Sequence, residues 1–247
     1  MKYILIFFLI FSTLNAQEKS KKETLSIGAG LYLQTQPYKD VNTLKLPSPV
    51  IFFDNSLLYI RWTRVGLYFL GEKQDNYAWA FSFTAMPRTY GYTSDDIVSM
   101  KERESSWEGG LSFSGKIDNS YMEIMLLTDI LDREKSFVIK TDIGYDFKID
   151  KFSFYPSINL TYQSKEFINY YYGVTQQEKT TFRDIYLPDG GLQIGIQTFI
   201  NYPFTDTLAT LINLKIDRLS DEAIDSPIVN EKYIYSGLLS LMYSFNY

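Results

Sequence analysis

The chain has 247 residues, with 24 Lys or Arg against 29 Asp or Glu, no His and no Cys. A mildly acidic chain without a basic stripe excludes nucleic acid as a partner. Without thiols or imidazoles there is no disulfide framework, thiolate nucleophile, Cys or His metal ligand, or histidine base, so neither a metal nor a cofactor is expected. Aromatic residues reach 17%, led by 21 Tyr and 18 Phe, a bias that suits the interfacial belts of a membrane barrel.

In chain order, residues 1–16 carry Lys2, an apolar run from Tyr3 to Phe11, and small or polar residues ending at Leu14-Asn15-Ala16. This is the layout of a secretory signal peptide cleaved after Ala16. The run is too short for a spanning helix, which needs about 20 apolar residues, and no Cys offers a lipid anchor. Residues 17–24 form a charged periplasmic lead-in. From residue 25 to 247 no run reaches the length of a spanning helix, so any membrane crossing must use strands that satisfy one another's backbone groups.

Period-two alternation is clean in the C-terminal half. Phe137, Ile139, Thr141, Ile143, Tyr145, Phe147 and Ile149 alternate with Val138, Lys140, Asp142, Gly144, Asp146 and Lys148. The pattern resumes after Asp150-Lys151 from Phe152 to Gln163, and again from Tyr233 to Tyr247. A soluble sandwich also alternates. Here, however, aromatics occupy both ends of each apolar face and aliphatics its middle, which is the sorting a bilayer imposes.

The expected fold is therefore all-β, a transmembrane antiparallel up-and-down barrel over 25–247. Candidate strands are 25–33, 49–55, 57–62, 64–70, 77–86, 106–115, 119–131, 135–149, 151–164, 189–201, 206–218 and 232–247. That makes twelve if LLYIRWTRVGLYF turns at Thr63, and ten as the alternative if it runs on as one strand. The long connections 34–48, 87–105, 165–188 and 218–231 then lie outside the cell and the short turns in the periplasm. Pro156 removes a ladder donor and marks a bulge or strand end.

The chemistry is sparse. Activating a Ser hydroxyl needs a nearby base, and the adjacent acids Asp95-Asp96 and Asp221-Glu222 fall in loops without an apolar pocket, so no catalytic residue is expected and the protein is read as a non-enzyme. The acidic 92–106 loop lacks calcium-loop spacing. Lys140, Asp142, Asp146 and Lys148, with Glu123, Asp129, Lys215 and Asp217, are expected on the lumen face. They either line a narrow pore for ions or small solutes or pair into a salt-bridged plug. Tyr170 to Tyr172 either form an exposed patch or fold into the barrel mouth, the latter favoured because Gly173 permits the turn.

Several short motifs, in order, carry a family resemblance. They are Gly28-Ala29-Gly30, Pro37-Tyr38, Leu46-Pro47, then Tyr171-Tyr172-Gly173-Val174 followed by Tyr186, Arg218-Leu219, Ser226-Pro227-Ile228-Val229, and the terminal Gly237-Leu238 with Tyr243-Ser244-Phe245. In this set the chain resembles the family of MltA-interacting proteins and OmpV. It departs at Lys39-Asp40, where a glycine is expected. The resemblance implies a Gram-negative outer-membrane barrel that serves as a scaffold linking a lytic transglycosylase to a peptidoglycan synthase in cell-envelope maintenance. It transfers no catalytic or binding residue. By analogy with other outer-membrane proteins, Tyr243, Phe245 and Tyr247 form the insertion signal for the barrel assembly machinery, with outer-membrane lipid as the surrounding partner.

Overall fold

A computed structural model describes residues 24–88, 91–93 and 95–246; the signal peptide, residues 17–23 of the lead-in and Tyr247 lie outside the described residues. The strands are β1 (Thr24–Gln34), β2 (Leu44–Asp54), β3 (Leu58–Arg61), β4 (Arg64–Lys73), β5 (Tyr77–Pro87), β6 (Trp107–Ile117), β7 (Ser120–Asp129), β8 (Phe137–Tyr145), β9 (Phe147–Ile149), β10 (Phe152–Gln163), β11 (Gly191–Pro203), β12 (Leu208–Arg218) and β13 (Tyr233–Asn246). Helix α1 covers Lys165–Tyr172 and α2 covers Asp221–Ile224. Each strand pairs antiparallel with the next along the chain, except that β8 and β9 both pair with β10, and β13 pairs with β1 from Thr24↔Asn246 to Gln34↔Ser236, which closes the sheet. Closure leaves no sheet edge running the length of the barrel.

β8 and β9 form one barrel strand. Both pair with β10 in an unbroken register, Ser157↔Gly144 and Phe154↔Phe147, and the gap between them faces Pro156. The missing Pro156 N–H interrupts the ladder of its neighbour while β10 itself runs on, paired to Thr198 on its other side. The barrel therefore has twelve strands, and residues 57–70 form the hairpin, turning at Trp62-Thr63.

The short turns sit at one end. Asn55 Oδ1 accepts from the backbone N–H groups of Leu57 and Leu58 at 2.9 and 2.8 Å, and Asp118 and Asp150 take positive φ at two-residue turns, a conformation Asp tolerates. The long connections gather at the other end, which the rule of short periplasmic turns makes extracellular. β2 begins at Leu44, so the first long connection covers 35–43 rather than 34–48; Leu46-Pro47-Ser48-Pro49 is strand. The two helices are a second correction, since the sequence reading has no helix in either loop.

The outward faces are apolar and sorted. Trp107, Phe137, Tyr162, Tyr233 and Tyr235 are exposed towards the extracellular end, Phe147, Phe152, Tyr243 and Phe245 towards the periplasmic end, and Ile139, Ile158, Ile196, Leu239 and Leu241 between them. A bulge between Tyr68 and Leu70 turns both Phe69 and Leu70 outward. Inside, close packing is met by pairing rings with glycines. A Cβ on Gly66 would strike the ring of buried Tyr59, and one on Gly144 the ring of Tyr121.

Candidate functional site

The barrel interior is layered, and its mouth is filled by the chain's own loops. α1 starts at Ser164, whose hydroxyl accepts from Phe167 N–H, satisfying one of the orphan donors of the first turn. Its Phe167, Ile168, Tyr171 and Tyr172 are fully buried. This spacing puts them on one face, turned into the mouth. Gly173 has an ordinary φ of −72°, so it supplies no unusual turn; glycine is needed because a Cβ would strike the Asn169 carbonyl.

The motif residues converge on this plug. Ser226 Oγ donates to the Tyr172 carbonyl at 2.6 Å. Tyr38 bridges Val229, and Val174 bridges Tyr186. The Lys39 N–H donates to the Ile228 carbonyl at 3.0 Å, and the Asn230 N–H to the Pro37 carbonyl, also at 3.0 Å. The Tyr38 ring stacks on Tyr172 at 5.7 Å and meets Tyr92 edge-on at 4.7 Å. Four loops distant in sequence thus form one apolar cluster that includes Leu219, Ile228 and Ile97. Burial pushes the Tyr92 hydroxyl up to about 12 and the Tyr171 hydroxyl further up.

Arg103 fastens the 88–106 loop to the 164–190 loop. It donates to Glu178 Oε1 at 2.7 Å and to the Tyr170 carbonyl at 2.5 Å. Burial alone would raise the Glu178 carboxyl. Hydrogen bonds from Thr175, Arg103 and the Lys101 N–H prevail and lower it to about 2.

Beneath the plug lies a charged belt. The Arg88 guanidinium sits 3.9 Å under the Phe167 ring, pairs with Glu108 and approaches Glu134 at 3.7 Å. Glu108 also takes Lys140 at 3.1 Å. Lower down, Arg64 pairs with Glu123 at 2.5 Å, and Ser112 donates to the same carboxylate at 2.8 Å. Lys215 meets Asp217 at 3.0 Å. A second apolar cluster, contributed by β1, β2, the β3–β4 turn and β11 to β13, joins Val50, Leu211, Leu238 and Met242 with Tyr32, Phe52, Trp62 and Phe199.

Among the four expected lumen charges, Lys140 and Asp142 share the inward face of buried Val138, with Asp142 bonded to Asn159. Asp146 pairs with Lys116 near the periplasmic end, and Lys148 is exposed there. Asp129 serves the extracellular loop, accepting from the Glu134 N–H at 2.8 Å. The sequence reading missed Arg88, Arg103, Glu108, Glu134 and Glu178. Arg88 and Glu108 flank a strand boundary, and the other three sit in loops where no periodicity marks a partner. Neither acidic pair forms a paired-carboxylate site: Asp96 accepts from Thr93 and Asp221 pairs with Arg218. No group of three or more metal-ligating acids occurs among the described residues.

A closed barrel with a lipid-sorted outer face and a side-chain-filled interior defines an outer-membrane β-barrel protein. The family model described as MltA-interacting protein MipA matches residues 27–245, and the chain belongs to that family. The MltA-interacting protein of Escherichia coli K12 is 27% identical over 222 residues, 87% of each chain. Outer membrane protein OmpV of Vibrio cholerae is 26% identical over 140 residues, 56% of this chain and 54% of its own. Among solved structures, an outer-membrane channel of Pseudomonas putida F1 aligns over 95% of this chain and 99% of its own, at 12% identity and a TM-score of 0.41. The protein resides in the outer membrane, and its family is not a known enzyme family.

Proposed function

We propose that this barrel is a non-conducting, non-enzymatic scaffold of the outer membrane that docks a lytic transglycosylase and a peptidoglycan synthase at its periplasmic end. The observation that carries the reading is the filling of the barrel, by the tyrosine plug around Tyr171 and Tyr172 in the mouth and by the apolar Val50–Met242 cluster between the walls. A barrel filled in this way leaves partner binding as its use. The similarity to an MltA-interacting protein supports the transglycosylase as one partner. The contact surface is the set of periplasmic turns at 55–57, 74–76, 118–119, 150–151 and 204–207, together with the lead-in. Tyr243, Phe245 and Tyr247 serve as the signal read by the barrel assembly machinery.

Two measurements test this. The purified barrel in a planar bilayer should show no steady ohmic step; a reproducible step would favour the narrow channel instead. Immobilised barrel should retain a lytic transglycosylase of the MltA type, and failure to retain any murein hydrolase or synthase would overturn the scaffold.

A further inference from the structure

The wall of the barrel is incomplete at one place. The β2–β3 ladder has only Phe52↔Arg61, Phe53↔Ile60 and Asp54↔Tyr59, whereas β2 pairs with β1 all the way from Leu25↔Phe53 to Gln34↔Leu44. The Trp62 N–H reaches the Ile51 carbonyl at 2.8 Å. Beyond that bond, one edge of β2 has no ladder partner among the described residues.

In an extended strand, alternate residues direct their backbone groups to the same side. Since the Ile51 carbonyl faces the hairpin, positions 49 and 47 are the next to face the gap. Both are proline, so the two N–H donors that would point into it are missing. This is what an edge permanently open to hydrocarbon requires, because an unsatisfied donor there is costly.

The depth of the seam follows from register. Pro47 lies opposite Leu31, which lies opposite Leu239; the aromatic level of Tyr235, bonded to Thr35, is further out. The seam thus starts in the aliphatic zone and rises towards the extracellular interface, where exposed Lys45 lies opposite Leu33. Lys45 has no ion pair with a described residue. Leu46 shares the inward register of Val50, yet it is 40% exposed where Val50 is 0%.

Trp62 forms the floor of the gap. It holds φ 58° at the hairpin tip, donates its indole N–H to Ser48 Oγ at 2.9 Å and packs edge-on against Tyr32 at 5.5 Å. The gap has Leu46 and the Trp62 indole on its inner side and Lys45 at its outer rim.

We propose that the β2–β3 seam is a lateral binding port for an acyl chain of an anionic outer-leaflet lipid, the chain lying against Leu46 and Trp62 and the headgroup phosphate held by Lys45. The port is separate from the scaffold reading, since it opens to the membrane rather than to the periplasm. The Lys45 ammonium supplies the headgroup contact, while the missing donors discourage a protein strand from adding to the edge.

The test is photolabelling of the mature barrel in phosphatidylglycerol vesicles doped with phosphatidylglycerol carrying a diazirine on its acyl chain. Adducts are expected at inward Leu46 and at Trp62 as well as at outward Leu31 and Leu239, with none at inward Ser112 or Asn213 behind the complete wall. Lys45→Gln should lower the Leu46 and Trp62 adducts about fivefold, the equivalent of about 1 kcal/mol for one basic side chain at the membrane surface, and leave Leu31 unchanged. Adducts confined to outward residues, or Leu46 labelling that Lys45→Gln does not change, would overturn the port.

Discussion

At the scale of single residues, the mouth depends on Arg103. Its side chain is 8% exposed and that of Glu178 2%, so removing the guanidinium leaves a buried carboxylate without its cation. Such truncations cost about 3–5 kcal/mol. Arg103→Ala is expected to release the 164–190 loop without unfolding the barrel, which limited proteolysis of that loop alongside intact heat-modifiability would register. Glu178 makes the plug pH-dependent as well. Its carboxyl is held at about 2 against an ordinary 4.5, so its contribution is fully present above pH 4.5 and is lost as pH falls through about 2. Near-UV circular dichroism of the mouth tyrosines should therefore fade over that interval in the native protein and hardly change there in Glu178→Gln.

At the scale of elements, the prolines explain the irregularities. Pro156 looked from sequence like a bulge or an end of its own strand; in the structure its missing donor breaks the neighbouring strand at Asp146 with no change of register. Pro49 opened the expected strand 49–55 and Pro47 fell in the loop before it; both lie in β2, tolerated because they occupy the side that has no partner. Restoring both donors with Pro47→Thr/Pro49→Thr should permit edge pairing between barrels. A band at twice the monomer mass in unheated gels is expected, and an unchanged monomer would show that the seam is shielded. Helices α1 and α2 were invisible to periodicity because each is brief and each stops as soon as its buried face is covered. Their caps, Ser164 and Ser220, and the first-turn acids Glu166, Asp221 and Glu222 are the local signals of their starts.

At the scale of the whole molecule, closure links the two chain ends, since β13 pairs with β1 along eleven positions from Thr24↔Asn246. The last strand is therefore the final wall segment, and its outward Tyr243 and Phe245 lie at the periplasmic interface. Deleting residues 245–247 should abolish heat-modifiable, membrane-assembled protein while leaving export intact; unchanged assembly would refute the role given to the terminal aromatics.

Sequence by itself determined the barrel and its outward faces, and favoured twelve strands with a hairpin at Thr63 over ten, a choice that the pairing of β3 with β4 settled. Each of these follows from period-two alternation, aromatic sorting and turn chemistry, which are local along the chain. The inward charges of β8 were legible for the same reason. Only the tertiary structure decided what fills the lumen: the joining of Tyr38, Tyr172, Ser226 and Val229, the Arg88 and Arg103 ion pairs, and the open seam beside Pro47. These depend on contacts between loops and strands far apart in sequence, and on where a neighbouring strand happens to stop. No periodicity within one segment encodes either.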